Sequence, residues 1–338
     1  MHYPNVEFVV LDYNSKDGME NWVKEKMSKY IASGILKYYK TYDPAYFDLP
    51  HSKNMVLRLA TGKILCLVDA DNYAGPDYVH WVNSGFLQNG DNTIITTIRK
   101  DRIPYKDQGG KLAFSSDLVY SVTGFDESLV GYGMDDVDLV NRLEKSGGKR
   151  LFIEQEKYLK FIGHSDMERL KNHRLLNDLE GIYINGPEED ENQSGATVLY
   201  LLRQESFFEV SYDFDNSLKK NWVESFGGWS VGKNGQRNGS VKPVKGGFTL
   251  TYTDSSTVTY MEREAGVLSS LQAGKESTWK KITRDNSLYY FIVKGYGECV
   301  NRIKYIENDL SKGSINHDGW GKGTAYLNFD TDHPVTVD

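Results

Sequence analysis

Cysteine is scarce in this chain, with only Cys66 and Cys299 among 338 residues. A framework of several disulfides, the usual support of small secreted domains, is therefore excluded. Cys66 lies inside an apolar, strand-like run, where a reduced and packed thiol is favoured over a disulfide. The cysteine content predicts a reducing compartment, and we expect a cytoplasmic protein.

Long hydrophobic runs are also missing. No apolar stretch approaches the roughly 18 residues that a membrane span needs. The first thirty residues lack the basic start and apolar stretch of a signal peptide. A hydrophobic share of 39% agrees with a mean hydropathy of -0.54 in favouring a water-exposed surface. We expect no membrane span, and any membrane association would be peripheral, at the inner face.

An excess of basic residues is absent as well. The formal charge is -7 and the acidic residues are spread along the chain, whereas nucleic-acid binding needs a clustered basic surface. No GxGxxG follows a strand pattern, which argues against a nicotinamide dehydrogenase. No glycine-rich basic loop stands near the start, which argues against a nucleotidyltransferase.

Strand-like and helix-like patterns alternate through the first hundred residues. The pattern predicts strands at 6–11, 35–40, 64–68 and 93–98, and helices at 19–31 and 52–61. The run Ile64–Val68 is continuously apolar, as in a parallel strand covered on both faces. This alternation predicts an α/β fold whose sheet is mostly parallel, with helices on both faces.

The texture changes after residue 205. Short alternating runs, such as those at 226–232 and 246–253, are separated by Gly, Asn, Asp and Ser turns, which predicts a small antiparallel β module. Its role is either packing and oligomerisation or acceptor binding through its aromatic side chains. We place a joint at 192–196, a strand at 289–294 and a helix at 299–310. The predicted domains are 1–195, 205–290 and 291–338.

Two carboxylates follow the third strand directly, in Asp69-Ala-Asp71-Asn72. Residues two apart in a strand point to the same side. Open α/β sheets bind their ligands at the carboxyl ends of strands, where these carboxylates stand. Hard carboxylate oxygens suit Mg²⁺ or Mn²⁺, which would neutralise a diphosphate leaving group. The alternative is a pair of polar residues at a strand exit.

A second acidic cluster, Asp135, Asp136 and Asp138, precedes the helical pattern of Leu139 and Leu143. The helix dipole stabilises negative charge in a first turn, so the alternative is that any one of the three only caps the helix. Asp135 and Asp138 have the spacing of a capping box. Asp136 has no such structural duty, and a carboxylate held beside a metal site is a credible general base.

His164 ends another short apolar run, in Phe161-Ile-Gly-His164. A histidine at a strand end is commonly a hydrogen-bonded surface residue. As a ligand added to carboxylates, it would favour Mn²⁺ over Mg²⁺.

Taken in order, these segments resemble the GT-A glycosyltransferases of the large family 2 group, with a second half like the galactosyltransferase C-terminal segment. Together they run from residue 6 to about 180. The matching strings are VEFVVLDYNSKDG (6–18), HSKNMVLRLATGKILCLVDADN (51–72), GGKLAFSSDLVYSVTGFDESLVGYGMDDVDLVNRL (109–143) and GHSDMERLKN (163–172).

The resemblance implies a Rossmann-like GT-A fold that binds a UDP-sugar donor and a divalent cation, Mn²⁺ or Mg²⁺. It implies metal ligation by Asp71 and His164 with Asp69 nearby, and it makes Asp136, beside Asp135, the base that activates a carbohydrate or glycolipid acceptor. The residues it implies for binding the nucleotide-sugar are Asp12 at the uracil base, Lys53, Asn54, Asp69 at the ribose, and Gly110. The implied activity is that of an inverting hexosyltransferase in polysaccharide or glycan biosynthesis, with UDP-galactose or a UDP-N-acetylhexosamine as the favoured donor.

The chain departs from that family in two places. Its acidic pair is Asp135-Asp136, whereas the family has Glu-Asp. The first strand and helix of the family, some thirty residues in a βα unit of ordinary size, have no counterpart before Val6. The alternative prediction is therefore a truncated, non-catalytic module that binds a nucleotide-sugar or glycan.

Overall fold

Two structural units make up the chain in the computed structural model, which describes residues 5–99, 109–186, 195–213, 230–271, 278–286, 288–311 and 315–338. The first unit comprises Met1–Ser165 and Val300–Asp338, and the second comprises Asp166–Cys299.

Strands and helices are interspersed up to residue 158, and over the first hundred residues they alternate as predicted, except that two short helices stand where one was predicted. In chain order they are β1 (Phe8–Tyr13), α1 (Met19–Lys26), α2 (Ser28–Ala32), β2 (Leu36–Thr41), α3 (Leu49–Leu59), β3 (Ile64–Val68), α4 (Tyr78–Asn89), β4 (Thr93–Thr96), β5 (Lys111–Ser115), α5 (Ser116–Ser121), α6 (Asp135–Lys145), β6 (Lys149–Phe152) and a 3₁₀ turn (Glu156–Tyr158).

The remaining elements are mostly strands. They are α7 (Asp166–Leu170), α8 (Leu175–Asp178), β7 (Leu179–Asn185), β8 (Gly195–Leu202), β9 (Ser206–Asp213), β10 (Ser230–Val244), β11 (Gly247–Tyr252), β12 (Thr257–Glu264), β13 (Val267–Ser270), β14 (Thr278–Lys281), α9 (Tyr289–Ser311), β15 (Gly323–Leu327) and β16 (Pro334–Val337).

The first unit contains two mixed sheets among its described residues. One has the order β1-β2-β15-β16, with β1 and β2 parallel and the other pairs antiparallel. The other has the order β3-β5-β4-β6, with only β4 and β6 parallel. The expected mostly parallel sheet is therefore not confirmed. An apolar run indicates that a strand is buried but not in which direction it pairs. The run Ile64–Val68 therefore could not predict a parallel strand.

Burial in β3 also differs from the expectation. Leu65 and Leu67 are buried, whereas Cys66 between them is exposed on the other side of the strand. Both cysteines are free thiols. The strand is therefore apolar throughout but is fully covered on one face only.

Helix α3 connects the two sheets of this unit. Pro50 lies in its first turn, and the Asp48 side chain accepts the His51 N–H there, which fixes where the helix begins. One side places Met55 and Leu59 in the core of the first sheet, and another places Leu57 in the core of the second. This packing buries the polar side chains of Lys53 and Asn54 within the unit.

The second sheet and α6 share one core. Its buried members come from the strands, from α5 and from one side of α6, and they include Leu65, Leu67, Ile94, Leu112, Phe114, Val119, Leu139, Val140 and Leu143. Burial of the Leu139 and Leu143 side chains stabilises the helix by roughly 2 kcal/mol each. The core thus fixes the first turn of α6, where the acidic cluster begins.

The second unit contains a closed barrel of eight strands in its described residues, β7 to β14, with antiparallel pairing throughout. The antiparallel β module is therefore confirmed in kind, but it begins with β7 and β8, before the glycine- and asparagine-rich texture. β8 is largely apolar from Ala196 to Leu202, so it lacks the alternation on which the hairpin pattern depends. Residues 226–229 of the predicted hairpin and 192–194 of the predicted joint lie outside the described residues.

The predicted strand at 289–294 is wrong, because these residues begin the long helix α9. Aromatic and β-branched residues favour a strand locally, but packing decides otherwise. The Tyr200 hydroxyl donates to the Ile292 carbonyl at 3.0 Å, and the Tyr200 and Tyr296 rings lie 4.9 Å apart. Of the helices in the described ranges, none is long and apolar enough to cross a membrane.

Candidate active site

Asp69 and Asp71 follow the end of β3, at the point where β3 pairs with the start of β5. The Asp69 N–H donates to the Gly110 carbonyl at 3.0 Å. This bond continues the antiparallel register in which Val68 lies opposite Lys111. The Asn72 side chain donates to one Asp71 carboxylate oxygen at 2.7 Å. Strand pairing therefore holds the Asp69 backbone next to Gly110.

A second segment, residues 160–164, runs alongside the chain after β3. The Tyr73 N–H donates to the Lys160 carbonyl at 3.0 Å, and the Ile162 N–H donates to the Asp71 carbonyl at 2.7 Å. Asn72 and Phe161 form an antiparallel bridge between them. This pairing places the residue two positions beyond Ile162, which is His164, next to Asp71.

The Nε2 atom of His164 lies 2.8 Å from Oδ2 of Asp71. About three quarters of each side chain is buried, with relative exposures of 26% and 24%. The Nδ1 atom of His164 is buried and has no hydrogen-bond partner among the described residues. The His164 imidazole is thus held by the Asp71 carboxylate through Nε2 alone.

These two side chains fit a shared divalent cation. Two ligand atoms at right angles, each about 2.1 Å from an ion, lie about 3 Å apart, close to the observed 2.8 Å. Oxygen and imidazole donors suit Mn²⁺. In the described part of the chain no group of three such side chains surrounds one point. A cation bound by few protein ligands completes its shell with water and substrate phosphates.

Lys53 joins the two acids at the start of α6. Its Nζ donates to Asp135 Oδ2 at 2.7 Å and to Asp136 Oδ1 at 2.8 Å. The Lys53 side chain is 6% exposed, that of Asp135 8% and that of Asp136 17%. The Nζ also lies 5.0 Å from the centre of the Phe125 ring. A buried ammonium therefore holds both carboxylates in fixed positions.

Two consecutive glycines connect this group with the carboxylates after β3. A methyl group added at Gly110 would come within 1.9 Å of Asp69 Oδ2, and one added at Gly109 would lie 3.7 Å from Asp136 Oδ2. Asp69 and Asp136 thus both lie against the Gly109-Gly110 backbone. Only glycine permits so close an approach at position 110.

The electrostatics of this group are unbalanced, since three carboxylates surround one lysine. Burial raises the pKa of Asp136, and so do Asp135 and Asp69, while Lys53 opposes the rise. Burial lowers the pKa of Lys53, but Asp135, Asp136 and Asp69 together raise it well above its usual value. Lys53 therefore stays protonated, and Asp136 holds its proton more tightly than an exposed aspartate does.

The aspartates of the acidic cluster do not cap α6 in the structure. The N-cap position of α6 is Met134, in a left-handed conformation with φ 69°, and no side chain accepts a capping hydrogen bond there. Asp138 instead forms an ion pair with Arg142, at 2.7 Å. Asp136 does have an ion-pair partner, Lys53, which the sequence did not reveal.

Asp12 and Asn54 have other contacts. The Asp12 carboxylate accepts the Tyr38 hydroxyl at 2.6 Å and the Ser15 N–H at 2.8 Å, and it lies 3.4 Å from Lys40 Nζ. Burial alone would raise the pKa of Asp12, but these partners lower it. None of these three partners is another predicted site residue.

Asn54 fixes a loop of the first unit. Its side chain donates to the Phe125 carbonyl at 2.9 Å and to the Glu127 carboxylate at 2.8 Å. Its Oδ1 atom accepts the Phe125 N–H at 2.7 Å. This loop leads from α5 towards α6, so Asn54 supports the acidic cluster through the backbone.

Lys111 was not singled out from the sequence. It is completely buried, and its Nζ donates to the Lys160 carbonyl at 3.2 Å. Burial lowers the pKa of Lys111, and the nearby charges of Asp71 and Asp69 oppose that effect. A lysine inside the otherwise apolar run that follows two glycines is the signal that points to it.

Part of this region is similar to a known family. Residues 97–173 match the family model described as the N-terminal domain of galactosyltransferase. The matched segment includes Lys111, Asp135, Asp136 and His164. The match supports a glycosyltransferase domain in this part of the chain. A search of curated proteins found no match.

Among solved structures, similarity is weak. The Cpx pathway activator NlpE from Escherichia coli is 12% identical with a TM-score of 0.20, covering 28% of this chain, which spans 43% of NlpE. The catalytic domain of Drosophila β1,4-galactosyltransferase 7 with xylobiose is 14% identical with a TM-score of 0.30, covering 50% of this chain and 75% of that one. GalNAc-T7 with UDP, GalNAc and Mn²⁺ is 12% identical with a TM-score of 0.36, covering 84% and 74%. TM-scores this low do not establish a shared fold.

Proposed function

We propose that this protein is a metal-dependent, inverting glycosyltransferase that moves a sugar from a UDP-sugar to an acceptor hydroxyl. One observation carries the proposal. Gly110 lies against Asp69, and Gly109 lies near Asp136. The next residue, Lys111, donates to the Lys160 carbonyl, in the segment 160–164 whose His164 contacts Asp71. The proposed metal ligands and the proposed base are thereby held around one short stretch of backbone. The family match over residues 97–173 supports the same reaction class.

The donor half of the site is formed by Asp71 and His164, with Asp69 directed towards the ribose. A divalent cation held there supplies charge that stabilises the departing diphosphate. Asp71 and His164 orient each other at 2.8 Å, which pre-organises both ligands. Gly110 leaves room for the Asp69 carboxylate. Asp12, Lys53 and Asn54 complete the proposed set of donor-side residues, Asn54 acting through the loop that it holds.

The acceptor half depends on Asp136. Its carboxylate takes the proton of an acceptor hydroxyl, and the resulting oxygen attacks the anomeric carbon from the side opposite the diphosphate, which inverts the configuration. A raised pKa makes Asp136 a stronger proton acceptor than an exposed aspartate. Lys53, which also contacts Asp135, holds Asp136 in position.

The proposed donors are UDP-galactose and UDP-N-acetylhexosamines, and the proposed acceptor is a carbohydrate or glycolipid in polysaccharide or glycan biosynthesis. A screen of donor hydrolysis over UDP- and GDP-sugars with Mn²⁺ tests the proposal. We expect release of UDP from one UDP-sugar, enhanced by the matching acceptor, and loss of that release with EDTA. UDP binding with neither hydrolysis nor transfer would instead support a non-catalytic nucleotide-sugar module.

A further inference from the structure

Lys111 occupies an unusual position for a lysine. It is the first residue of β5, it is completely buried, and it follows the two glycines that contact Asp69 and Asp136. A buried ammonium is costly unless hydrogen bonds and opposite charges compensate for lost hydration. The other residues of its strand are apolar apart from the terminal serine, so the compensating charge comes from outside the strand, in part from the nearby carboxylates of Asp71 and Asp69.

The position of its ammonium group is set by the backbone. Lys111 lies opposite Val68 in the strand register, so it stands next to the point where β3 leads into Asp69. Its Nζ donates to the carbonyl of Lys160, which also accepts the Tyr73 N–H at 3.0 Å. The ammonium therefore lies where the chain after β3 meets the segment that carries His164.

The hydrogen bond that Lys111 makes to the protein uses only part of the donor capacity of its ammonium group. An ammonium has three donors, and the hydrogen bond to Lys160 is the one that Lys111 Nζ makes among the described residues. Asp71 is already hydrogen-bonded to Asn72 and to His164. A ligand with several anionic oxygens would satisfy the remaining donors.

We propose that Lys111 is a diphosphate-binding residue, whose ammonium contacts the phosphate oxygens of the nucleotide beside the Asp71–His164 pair. The inference rests on the proposed function. In this arrangement Lys111 contributes positive charge to the leaving group in addition to that of the divalent cation. A charge-assisted hydrogen bond of this kind changes affinity by about tenfold or more.

Calorimetric titration with UDP and with uridine tests the assignment, in Mn²⁺ and in EDTA. The variants are Lys111→Met, Lys111→Arg and the exposed Lys149→Met, which removes one positive charge away from the site. We expect Lys111→Met to weaken UDP binding about tenfold or more in Mn²⁺ and to abolish the residual binding in EDTA. Uridine binding should be the same in all variants, and Lys149→Met should behave as wild type.

Folding of each variant is checked by its thermal unfolding midpoint. If Lys111→Met does not fold, Lys111→Gln is compared with Lys111→Arg, and we expect the arginine variant to bind UDP at least tenfold more tightly. Folded Lys111→Met or Lys111→Gln with the UDP affinity of wild type would overturn the role of Lys111 while leaving the proposed function intact. A wild-type protein that binds no UDP would overturn both.

Discussion

The Nζ of Lys53 lies 2.8 Å from Oδ1 of Asp136, and both side chains are largely buried. The same ammonium also contacts Asp135 at 2.7 Å, and Asp69 acts on both Lys53 and Asp136 electrostatically. Lys53 is therefore the cation that allows these carboxylates to coexist in a region with little solvent. Its loss has a predictable effect on how readily Asp136 gives up its proton.

Replacing Lys53 by methionine should shift the pH dependence of transfer. Lys53 lowers the pKa of Asp136, so its removal raises that pKa further, and Asp136 stays protonated up to a higher pH. A protonated carboxyl cannot act as a base. We expect the acidic limb of the kcat/KM profile to move to higher pH by about one unit or more, with the exposed Lys63→Met as the unshifted control.

Asp136→Asn should abolish sugar transfer, with a loss of about a hundredfold or more in kcat. Because the amide is isosteric, UDP binding measured by calorimetry should remain within about threefold of wild type. The exposed Asp117→Asn on α5 is the matched control and should retain full activity. Near-normal turnover in Asp136→Asn would show that another group is the base.

Asp71→Ala and His164→Ala test the proposed metal pair. Since these side chains contact each other at 2.8 Å, loss of either removes one ligand and the orientation of the other. We expect each variant to lose the Mn²⁺-dependent part of UDP binding, about tenfold to a hundredfold by calorimetry. Asp91→Asn, exposed near the end of α4, should bind as wild type does. Retained Mn²⁺ dependence in both variants would place the cation elsewhere.

Local sequence patterns predicted β1, β2, β3, β4, α3 and the α1–α2 segment within a few residues, whereas other elements of the first unit, such as α4 and β5, were not predicted. The periodicity of Met55 and Leu59 is typical of one helix face, and α3 buries that face as expected. The runs before Asp12 and Asp69 form β1 and β3. These elements are set by short-range spacing, which a single sequence contains.

Long-range pairing could not be predicted in the same way. Strand direction depends on which segments meet, so the antiparallel pairing of β3 with β5 left no local trace. The contact between Asp71 and His164 depends on the pairing of Phe161 with Asn72, far apart in the sequence. The ion pair of Lys53 with Asp136 joins two helices for the same reason.

Gly110→Ala should damage the site without an added charge. The new methyl group would come within 1.9 Å of the Asp69 carboxylate, so that side chain or the β3–β5 pairing must shift. We expect UDP affinity to fall about tenfold and the free energy of unfolding to fall by about 1 to 3 kcal/mol. Gly18→Ala is the matched control, since nothing lies within 4 Å of its added methyl group. Equal UDP affinity in the two variants would contradict this packing.

Asp12→Asn should change how stability depends on pH. Tyr38, Ser15 and Lys40 lower the pKa of the folded Asp12 carboxyl below the value of about 3.9 expected in the unfolded chain. A lowered carboxyl pKa contributes stability above the unfolded pKa, and that contribution is lost as the pH falls towards the folded pKa. At pH 7 the free energy of unfolding of the variant should therefore be about 1 to 2 kcal/mol lower than that of wild type.

Between pH 5 and pH 3 the difference from wild type should shrink, because wild type then loses the contribution that the Asp12→Asn variant never had. Urea unfolding at several pH values measures this convergence. The control is Asp91→Asn, which removes an exposed ion pair with Lys63. This variant should change the free energy of unfolding by less than about 0.5 kcal/mol at each pH. A constant difference at every pH would mean that Asp12 stabilises β1 through packing and that its charge contributes nothing.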